Sequence, residues 1–549
     1  MNNILKVHPR DNIIVALQDL QEGQQVKLEN ESLVLREYIP VKHKFSAVDL
    51  KPGAAVYMYG VQVGKAVQPI RKGCRITTEN VKHAAESYSV RHKKEEWIAP
   101  DVDTFKDETF MGYHRSDGKV GTRNNWIVFP LVFCENRNIE VIKEVMLEEL
   151  GYKIEKTKDF NVHHLIDLYK NGGSTQEILA ANLMDPEVST KRERLFPNID
   201  GIKFLPHDGG CGGIRQDSEA LCRLLAGYIA NPNVAGATVL SLGCQNAQFQ
   251  LLEKALLDID GASNKPLIIL EQQKSKSEKD FIAEAVKRTF IGLIEANKTE
   301  RKPAPLSKLV LGLECGGSDG FSGITANPAL GHTSDLLVAV KGTTILSEFP
   351  ELNGVEQELI NRCSSSEMAE KFAGLMSRYS QRAEEAGSGF DMNPSPGNIK
   401  DGLITDAMKS AGAAKKGGTS PVTSVLDYTE QATKPGLSLL CTPGNDVEST
   451  TGLAGSGANM IVFTTGLGTP TGNPITPTIK FSSNTMLYER MKDIIDIDAG
   501  TIINGKDTIN SKGEELLSLI IQIASGEKLS KAEILGQDDF IPWKRGISL

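Results

Sequence analysis

The sequence predicts an α/β protein in which a small N-terminal β-rich domain precedes a large, mostly parallel α/β region in two parts. Three observations support this prediction. The chain has 549 residues, too many for a single hydrophobic core. Residues 1–95 hold short β-prone runs separated by glycine and proline turns. From residue 106 onward, apolar strands alternate with helical patterns, which favours parallel strands joined by crossovers.

Composition and charge exclude several classes of protein. Hydrophobic residues make up 40% and charged residues 24%, as in ordinary globular proteins. The net charge of −9 has no basic stripe, which argues against nucleic acid as a partner. No apolar run approaches the roughly 18 residues that a membrane span needs, and the N-terminus lacks the pattern of a signal peptide. We therefore expect a cytoplasmic protein without a membrane partner.

The N-terminal domain, residues 1–95, carries two polar features next to its β-prone runs. His8 and Asp11 precede the run at residues 13–17, and His43 and Lys44 follow a later turn. The two pairs either form one polar cluster at strand ends or are a surface turn and a satisfied histidine. Residues 96–105 lack periodicity and are predicted to be a linker.

The next part, residues 106–310, is predicted to be an α/β domain. Its apolar strands cover residues 126–133, 202–205, 237–242 and 267–270, and helical patterns lie between them at 139–150, 218–229 and 247–257. Residues 155–198 are polar and helix-prone, and we interpret them as an insertion. Its His163-His164 pair is typical of a solvated helix face, because adjacent helical residues point about 100° apart.

Four predicted strands end in a turn that carries a cysteine, at Cys134, Cys211, Cys244 and Cys315. The ends of parallel strands lie along one edge of a sheet, so these thiols are expected to converge on a metal, with His207 as a further ligand. Thiolates select iron, zinc or iron–sulfur clusters. The competing interpretation is that they are independent core cysteines.

The C-terminal part, residues 311–549, is predicted to be a second α/β domain. It opens on a strand followed by a glycine-rich loop at 312–323, where backbone N–H groups can approach a ligand. Polar side chains in this loop and in later turns suit a polyhydroxylated anion: Ser318, Asp319, Asn398, Asn445 and Asp446. Asp319 is either a carboxylate for proton transfer or the acceptor of an Asx turn.

These motifs resemble the altronate dehydratase/galactarate dehydratase family of sugar-acid dehydratases, over nearly the whole chain. The most specific match is the Glu-Cys-Gly-Gly-Ser-Asp-Gly-Phe-Ser-Gly-Ile-Thr-Ala-Asn-Pro run at 314–328. Further matching stretches lie at residues 8–17, 43–45, 118–124, 207–211, 241–244, 348–351, 393–398, 443–446 and 466–470. In detail, these sequence motifs are more similar to the altronate branch of the family than to the galactarate branch.

The resemblance implies an N-terminal SAF (antifreeze-like) domain and dehydration of D-altronate to 2-dehydro-3-deoxy-D-gluconate, with Fe2+ or Mn2+ as cofactor. An iron–sulfur cluster on three thiols is the alternative cofactor. The predicted catalytic residues are His8, Asp11, His43, Lys44 and Asp319, and Arg123 and Asn124 are predicted to bind the anion and hydroxyls of the substrate. Galactarate is the alternative substrate, and a non-catalytic sugar-acid-binding protein is the alternative function. Glycine-rich cores of this size often pair, so a homodimer is the expected assembly.

Overall fold

The structure, a computed structural model, describes residues 3–28, 32–90, 96–153, 160, 162–184, 193–260 and 265–548. Parts of the predicted insertion, at residues 155–159, 161 and 185–192, lie outside the described residues, as do residues 91–95 before the predicted linker. None of the helices among the described residues is long and apolar enough to cross a membrane.

The N-terminal domain is built from short antiparallel strands, as the β-prone runs predicted. The strands are β1 (Ile4–Leu5), β2 (Ile13–Ala16), β3 (Gln25–Lys27), β4 (Ser32–Val34), β5 (Lys44–Ser46), β6 (Ala55–Met58), β7 (Val61–Ala66) and β8 (Val81–Lys82). They pair in the orders β1-β2-β5, β3-β4 and β6-β7-β8. Their alternating apolar side chains form a core of this domain around Ile14, Leu20 and Phe45.

The second part contains a four-stranded parallel sheet. Its elements are β9 (Thr109–His114), β10 (Val120–Gly121), β11 (Asn125–Pro130), α1 (Asn136–Glu149), α2 (Val162–Lys170), α3 (Thr175–Ala180), β12 (Gly201–Phe204), α4 (Arg215–Ala230), β13 (Val234–Ser241), α5 (Phe249–Asp260), β14 (Leu267–Glu271), α6 (Glu278–Ala296) and β15 (Lys302–Pro305). The parallel sheet has the order β12-β11-β13-β14, while β10, β9 and β15 form a small antiparallel sheet. The predicted strands and helices of this part are therefore present.

The third part contains a seven-stranded parallel sheet. Its elements are β16 (Val310–Cys315), α7 (Ala326–Ala339), β17 (Thr343–Leu346), α8 (Glu356–Arg362), α9 (Ser366–Glu385), α10 (Pro396–Lys400), α11 (Asp406–Ala413), β18 (Val422–Leu426), β19 (Gly436–Leu440), α12 (Asp446–Gly455), β20 (Met460–Thr465), β21 (Thr478–Ser482), α13 (Thr485–Arg490), β22 (Ile497–Asp498), α14 (Ile509–Ala524) and α15 (Lys531–Ile534). The strand order is β18-β19-β17-β16-β20-β21-β22. Strand β16 is central, so the loop after it lies in the middle of the carboxyl edge.

The two parallel sheets correct one expectation from the sequence. Strands β11, β12 and β13, which precede Cys134, Cys211 and Cys244, belong to the four-stranded sheet, whereas β16 carries Cys315 in the seven-stranded sheet. The expectation that all four thiols lie along one sheet edge is therefore wrong. A sequence of alternating strands and helices shows that strands are parallel, but it does not show where one sheet ends and the next begins.

The N-terminal domain packs directly against the third part. One continuous apolar core contains Ile13, Val15 and Val56 of the N-terminal domain together with Leu313 and Phe321 of the third part. Burial of this shared apolar surface stabilises the docked arrangement. It holds the turn before β5 against the glycine-rich loop that follows β16.

Candidate active site and metal centre

A buried cluster of one thiol and two carboxylates lies at the carboxyl edge of the seven-stranded sheet. Cys315 is the last residue of β16, and Glu348 and Glu351 follow the neighbouring strand β17. One ligand atom of each residue lies within 4.8 Å of the others. The Sγ of Cys315 is 3.0 Å from Glu351 Oε2 and 3.7 Å from Glu348 Oε2. Glu348 adopts a left-handed backbone conformation with φ of 65°, which is uncommon for a non-glycine residue and often marks a functional site.

Two lysines compensate the charge of this cluster. Lys416 Nζ lies 2.7 Å from Cys315 Sγ and 3.0 Å from Glu348 Oε2, and Lys416 is 1% exposed. Lys409, on α11, places its Nζ 2.5 Å from Glu351 Oε1. Buried charges are stable only when they are paired, so the two ammonium groups are what allows two carboxylates to be buried here.

The cluster shifts the pKa values of its members in different directions. Burial raises the pKa of the Cys315 thiol well above its ordinary value, and the Glu351 charge raises it further. Burial also raises the pKa of Glu348. Burial opposes ionisation of Glu351 as well, but the adjacent Lys409 and Lys416 outweigh it and lower the pKa to about 2. Glu351 is therefore an ionised carboxylate that accepts a hydrogen bond from a neutral thiol.

A third carboxyl group, Glu314, lies behind the cluster. Its Oε2 accepts hydrogen bonds from Ser347 Oγ at 2.8 Å and from Ser449 Oγ at 2.6 Å. Burial first, and then the charge of Glu348, raise the pKa of Glu314 well above its ordinary value. This shift favours the neutral form of Glu314, which limits the negative charge buried in the site.

Asp446 is the carboxylate of this region that solvent reaches. It begins α12 and is only partly buried, whereas Glu348 and Glu351 are fully buried. Burial first, and then the charges of Glu348 and Glu351, raise the pKa of Asp446 to about 7. A side chain at Gly316 would collide with this carboxylate, so glycine is required at the start of the loop. A carboxyl with a pKa near neutrality is suited to proton transfer.

Asp319, a predicted catalytic residue, lies in the glycine-rich loop and is fully buried. Its Oδ1 accepts hydrogen bonds from the backbone N–H groups of Phe321 and Ser322, as in an Asx turn, and from Ser483 Oγ at 2.7 Å. Its Oδ2 lies 2.9 Å from Lys42 Nζ of the N-terminal domain. The carboxylate therefore shapes the loop and joins it to the N-terminal domain.

The other predicted residues of the N-terminal domain also lie near this loop or within a turn. Lys44 is fully buried, donates to the carbonyl of Gly402 at 2.7 Å, and has its pKa lowered by burial to about 7. His43 Nε2 lies 3.0 Å from the carbonyl oxygen of Lys400. Asp11 accepts from the backbone N–H groups of His8 and Gly60, each at 2.9 Å, so its carboxylate holds a turn.

The predicted thiol ligands Cys134, Cys211 and Cys244 form a separate group at the carboxyl edge of the four-stranded sheet. All three are exposed, and they follow strands that are adjacent in this sheet. The loops that carry them are joined by hydrogen bonds from the Phe133 N–H to the Gly209 carbonyl and from the Asn246 N–H to the Gly210 carbonyl. Within the described part of the chain, only Cys315, Glu348 and Glu351 are close enough together to share one ion.

The structure does not place His207 as a metal ligand. Its Nε2 lies 2.8 Å from the Pro130 carbonyl oxygen, and its Nδ1 accepts from the Gly209 N–H at 3.1 Å. Both ring nitrogens are therefore used by the backbone. Burial lowers the pKa of His207, which fits a neutral imidazole that orders the loop before Cys211.

The predicted anion and hydroxyl binders Arg123 and Asn124 make contacts within the protein. Arg123 pairs in a bidentate manner with Glu533, at 2.6 and 3.0 Å, and donates to two backbone carbonyls. Asn124 Nδ2 donates to the carbonyls of Asn198 and Ala296. These side chains join the start of β11 to neighbouring segments. None of the hydrogen bonds described for them involves a residue of the Cys315 cluster.

The remaining predicted binders flank the glycine-rich loop or begin a helix. Asn398 donates from Nδ2 to the Ser318 carbonyl at 2.7 Å, and Ser318 itself is buried. Asn445 caps α12 by accepting from the Glu448 N–H at 3.2 Å. Asn398 and Asn445 therefore position the backbone next to the site.

Sequence reasoning selected neither the two glutamates of the cluster, Glu348 and Glu351, nor the lysines that pair with it, Lys409 and Lys416. The signal for the glutamates was present, because they follow an apolar strand directly, as Cys315 does. Nothing comparable marks the lysines, which lie on and after α11 in a segment without a distinctive motif.

The donor set of the cluster fits a divalent transition metal. One sulfur and two carboxylates form a mixed soft and hard donor set whose ligand atoms are close enough to share one ion. The ammonium of Lys416 pairs with Glu348 and donates to the Cys315 sulfur, so it contributes positive charge where such an ion would also contribute it. An ion held by these three residues would act as a Lewis acid on a substrate oxygen.

Comparison with known protein families gives matches along almost the whole chain. The altronate/galactarate dehydratase SAF domain matches residues 2–84, the second domain of D-galactarate dehydratase/altronate hydrolase matches 112–297, and the C-terminal domain of D-galactarate/altronate dehydratase matches 306–548. The chain is 33% identical to the altronate dehydratase of Escherichia coli K12 over 525 residues, 95% of each chain. It is also 33% identical to the altronate dehydratase of Bacillus subtilis 168 over 535 residues, 96% of each chain. Identity to the galactarate dehydratase (L-threo-forming) of E. coli K12 is 30% over 533 residues, covering 95% of this chain and 93% of the relative.

Proposed function

Because the chain belongs to the altronate/galactarate dehydratase family, we propose that it dehydrates D-altronate to 2-dehydro-3-deoxy-D-gluconate and water. The buried cluster of Cys315, Glu348 and Glu351 with its two lysines is the observation that carries the proposal. Altronate is preferred to galactarate because two altronate dehydratases reach 33% identity, against 30% for the galactarate dehydratase.

The reaction removes the proton at C2, next to a carboxylate, and expels the hydroxyl group at C3. The electron pair of the C2–H bond forms an enediolate. The C3 hydroxyl group then receives a proton from a general acid and leaves as water, and the resulting enol becomes the 2-keto acid. In this proposal Asp446, which the sequence predicted to bind substrate, takes the C2 proton; its partial exposure and its raised pKa of about 7 support this role. Lys416 and Lys409 supply positive charge where the enediolate develops negative charge.

The residues predicted in the N-terminal domain have a supporting role in this proposal. Asp319 and Lys42 fix the glycine-rich loop through their ion pair. Lys44 adds a buried amine whose lowered pKa of about 7 makes it the second candidate for proton transfer. His8 and His43 remain predicted catalytic residues, and Asp11 holds the turn on which His8 lies.

Fe2+ or Mn2+ is the proposed cofactor, held by Cys315, Glu348 and Glu351. The variant Cys315→Ser should lose most of the bound metal and most of the activity. Cys222→Ser is the matched control, because Cys222 is equally buried but lies in the apolar core of the second part. Metal content is measured by elemental analysis of anaerobically purified protein. Unchanged metal and activity in Cys315→Ser would exclude this ligand set.

An iron–sulfur cluster is the second candidate cofactor, favoured by the position of Cys134, Cys211 and Cys244 after three adjacent strands. Cysteines that bind different irons of one cluster are farther apart than ligands of a single ion, so these thiols fit a cluster better than one metal. Acid-labile sulfide distinguishes the two cofactors. Stoichiometric sulfide that disappears in Cys211→Ser would support the cluster, and sulfide near zero would exclude it.

The function is tested by incubating the protein with D-altronate and with galactarate, in the presence of Fe2+ or Mn2+, and measuring 2-keto acid. Formation of keto acid from D-altronate, and its loss in Glu351→Gln, are expected. Keto acid from galactarate alone would shift the assignment to the other branch of the family. Binding of either acid without turnover would support the non-catalytic alternative.

A further inference from the structure

A cavity of about 250 Å³ lies between α9 and the C-terminal segment at residues 540–548. It is separate from the cluster around Cys315 and shares no lining residue with it. Arg378 and Arg382 lie one helical turn apart on α9 and so face the cavity together. Lys544 and Arg545 of the C-terminal segment line the opposite side.

The charge of this basic cavity is out of balance. Its lining includes four cationic side chains and one carboxylate, Asp427, in a chain whose net charge is −9. Asp427 is already paired with Arg545, at 2.6 and 3.2 Å. Among the residues that the structure describes, neither Arg378 nor Arg382 has a carboxylate within ion-pair distance.

No other group of the lining offsets these cations. Cys441 is buried in the wall of the basic cavity, and burial raises the pKa of its thiol to about 12 despite the nearby arginines, so the thiol stays neutral. Tyr379 also lines it, and burial raises the pKa of its hydroxyl group above the ordinary value. The cavity is therefore positive throughout the neutral pH range.

The walls of the basic cavity are fixed in place by aromatic contacts. The rings of Tyr379 and Trp543 stack with centroids 5.5 Å apart and planes at 20°. The guanidinium of Arg545 lies 4.3 Å above the Trp543 ring. The backbone N–H of Trp543 donates to the Tyr428 hydroxyl at 2.9 Å, which ties the C-terminal segment to the end of β18. A site built from such contacts is largely formed before a ligand binds.

We propose that the basic cavity binds the carboxylate or phosphate group of a small organic anion. Arginine is suited to this task because its planar guanidinium donates two parallel hydrogen bonds to either group. The cavity has room for a small anion, and the stacked rings of Tyr379 and Trp543 provide an apolar wall for the rest of the molecule. The proposal does not depend on the reaction at Cys315.

The inference adds a role for the C-terminal segment. The backbone N–H groups of Arg545 and Gly546 donate to Asp217 of α4, in the second part of the protein. An anion held between α9 and Arg545 would therefore stabilise the contact between the second and third parts. Such an anion binds the folded protein and stabilises it by mass action.

Quenching of Trp543 fluorescence by iodide tests the proposal. The chain has three tryptophans, of which Trp126 is fully buried. All variants therefore carry Trp97→Phe, so that the quenchable signal comes from Trp543. A positive cavity concentrates iodide but not neutral acrylamide. Arg378→Gln/Arg382→Gln should reduce iodide quenching several-fold and leave acrylamide quenching unchanged, whereas the control Arg288→Gln, on the exposed face of α6, should change neither.

Competition identifies the anion. Inorganic phosphate and D-gluconate are titrated separately against iodide quenching. The same double variant should lower the affinity of the competing anion about tenfold or more. Competition by phosphate alone assigns the cavity to phosphate esters, and competition by gluconate assigns it to sugar acids. No competition by either anion, or equal iodide quenching in the double variant, would overturn the proposal. Circular dichroism of the double variant confirms that α9 is intact.

Discussion

Replacement of Lys416 by methionine is the sharpest test of the charge balance in the buried cluster. Methionine preserves most of the volume of the lysine side chain and removes its charge. The Nζ of Lys416 lies 3.0 Å from Glu348 Oε2 and 2.7 Å from Cys315 Sγ, and all three residues are buried. Without it, Lys409 is the remaining cation of the cluster, and it is already paired with Glu351.

The expected cost is about 3–5 kcal/mol of unfolding free energy at pH 8, because removing one partner leaves a buried charge without compensation. This is a large fraction of the roughly 5–15 kcal/mol that stabilises an ordinary domain. The cost depends on pH. Burial already raises the pKa of Glu348, and the charge of Lys416 partly offsets this rise. Loss of Lys416 therefore raises the pKa of Glu348 further. A carboxyl whose folded pKa exceeds its unfolded value destabilises the fold as pH rises through that interval. Lys416→Met should therefore be least destabilising near pH 5.

Urea denaturation at pH 5 and pH 8 measures this effect. Glu348→Gln/Lys416→Met should recover most of the stability, because it removes both charges, but it should not recover turnover. Lys512→Met is the control: Lys512 is also buried, but its partners Glu515 and Asp507 are exposed and half-buried, so we expect a loss of about 1 kcal/mol or less. Equal stability of Lys416→Met and the wild type at both pH values would refute the buried ion pair. Full activity of the double variant would refute a role of the pair in the reaction.

Three further outcomes are expected. Burial lowers the pKa of Lys44 in the folded protein to about 7, so burying this amine costs stability that is regained as the pH rises towards the pKa of the unfolded chain. The wild type should therefore become more stable between pH 7 and pH 10, and Lys44→Met should abolish this rise. Denaturation across this pH range measures it. Arg123→Lys should reduce stability by about 2 kcal/mol through loss of the bidentate pair with Glu533, without changing the KM for D-altronate in the keto-acid assay. Asp319→Asn removes the charge that faces Lys42, and hydrogen exchange should show faster opening of residues 42–46 and of the glycine-rich loop.

The sequence predicted most of the secondary structure that builds the two sheets. The reason is physical: a buried parallel strand is a short continuous apolar run, and such runs lead into Cys315, Ser347 and Cys441. The order of these strands across a sheet is set by tertiary packing and is not encoded in the spacing of the runs. Strand β17 pairs with β19 and not with β18, the next strand in the chain. Strand β16 likewise pairs with the distant strand β20. The neighbours of Cys315 could therefore not be chosen from the sequence.

The lysines of the cluster show a different limit. A buried lysine is identified by its partner, and the partners of Lys409 and Lys416 are 58 or more positions away along the chain, on other elements. From the sequence alone, neither lysine can be distinguished from an ordinary polar residue on a helix or turn. The cysteines were easier to select because a thiol after an apolar strand is uncommon. Selection by residue type alone, however, grouped Cys134, Cys211 and Cys244 with a thiol that lies in another sheet.

The contacts of Asp319 explain why the N-terminal domain belongs to the site although it contributes no member of the cluster. The loop after Cys315 contains four glycines within residues 316–323 and has little intrinsic order. Asp319 fixes this loop by accepting two of its backbone N–H groups, and Lys42 neutralises the carboxylate from the N-terminal domain. A buried carboxylate without that cation would be costly. Docking of the N-terminal domain therefore stabilises the loop conformation that keeps Gly316 against Asp446, and with it the geometry proposed for proton transfer.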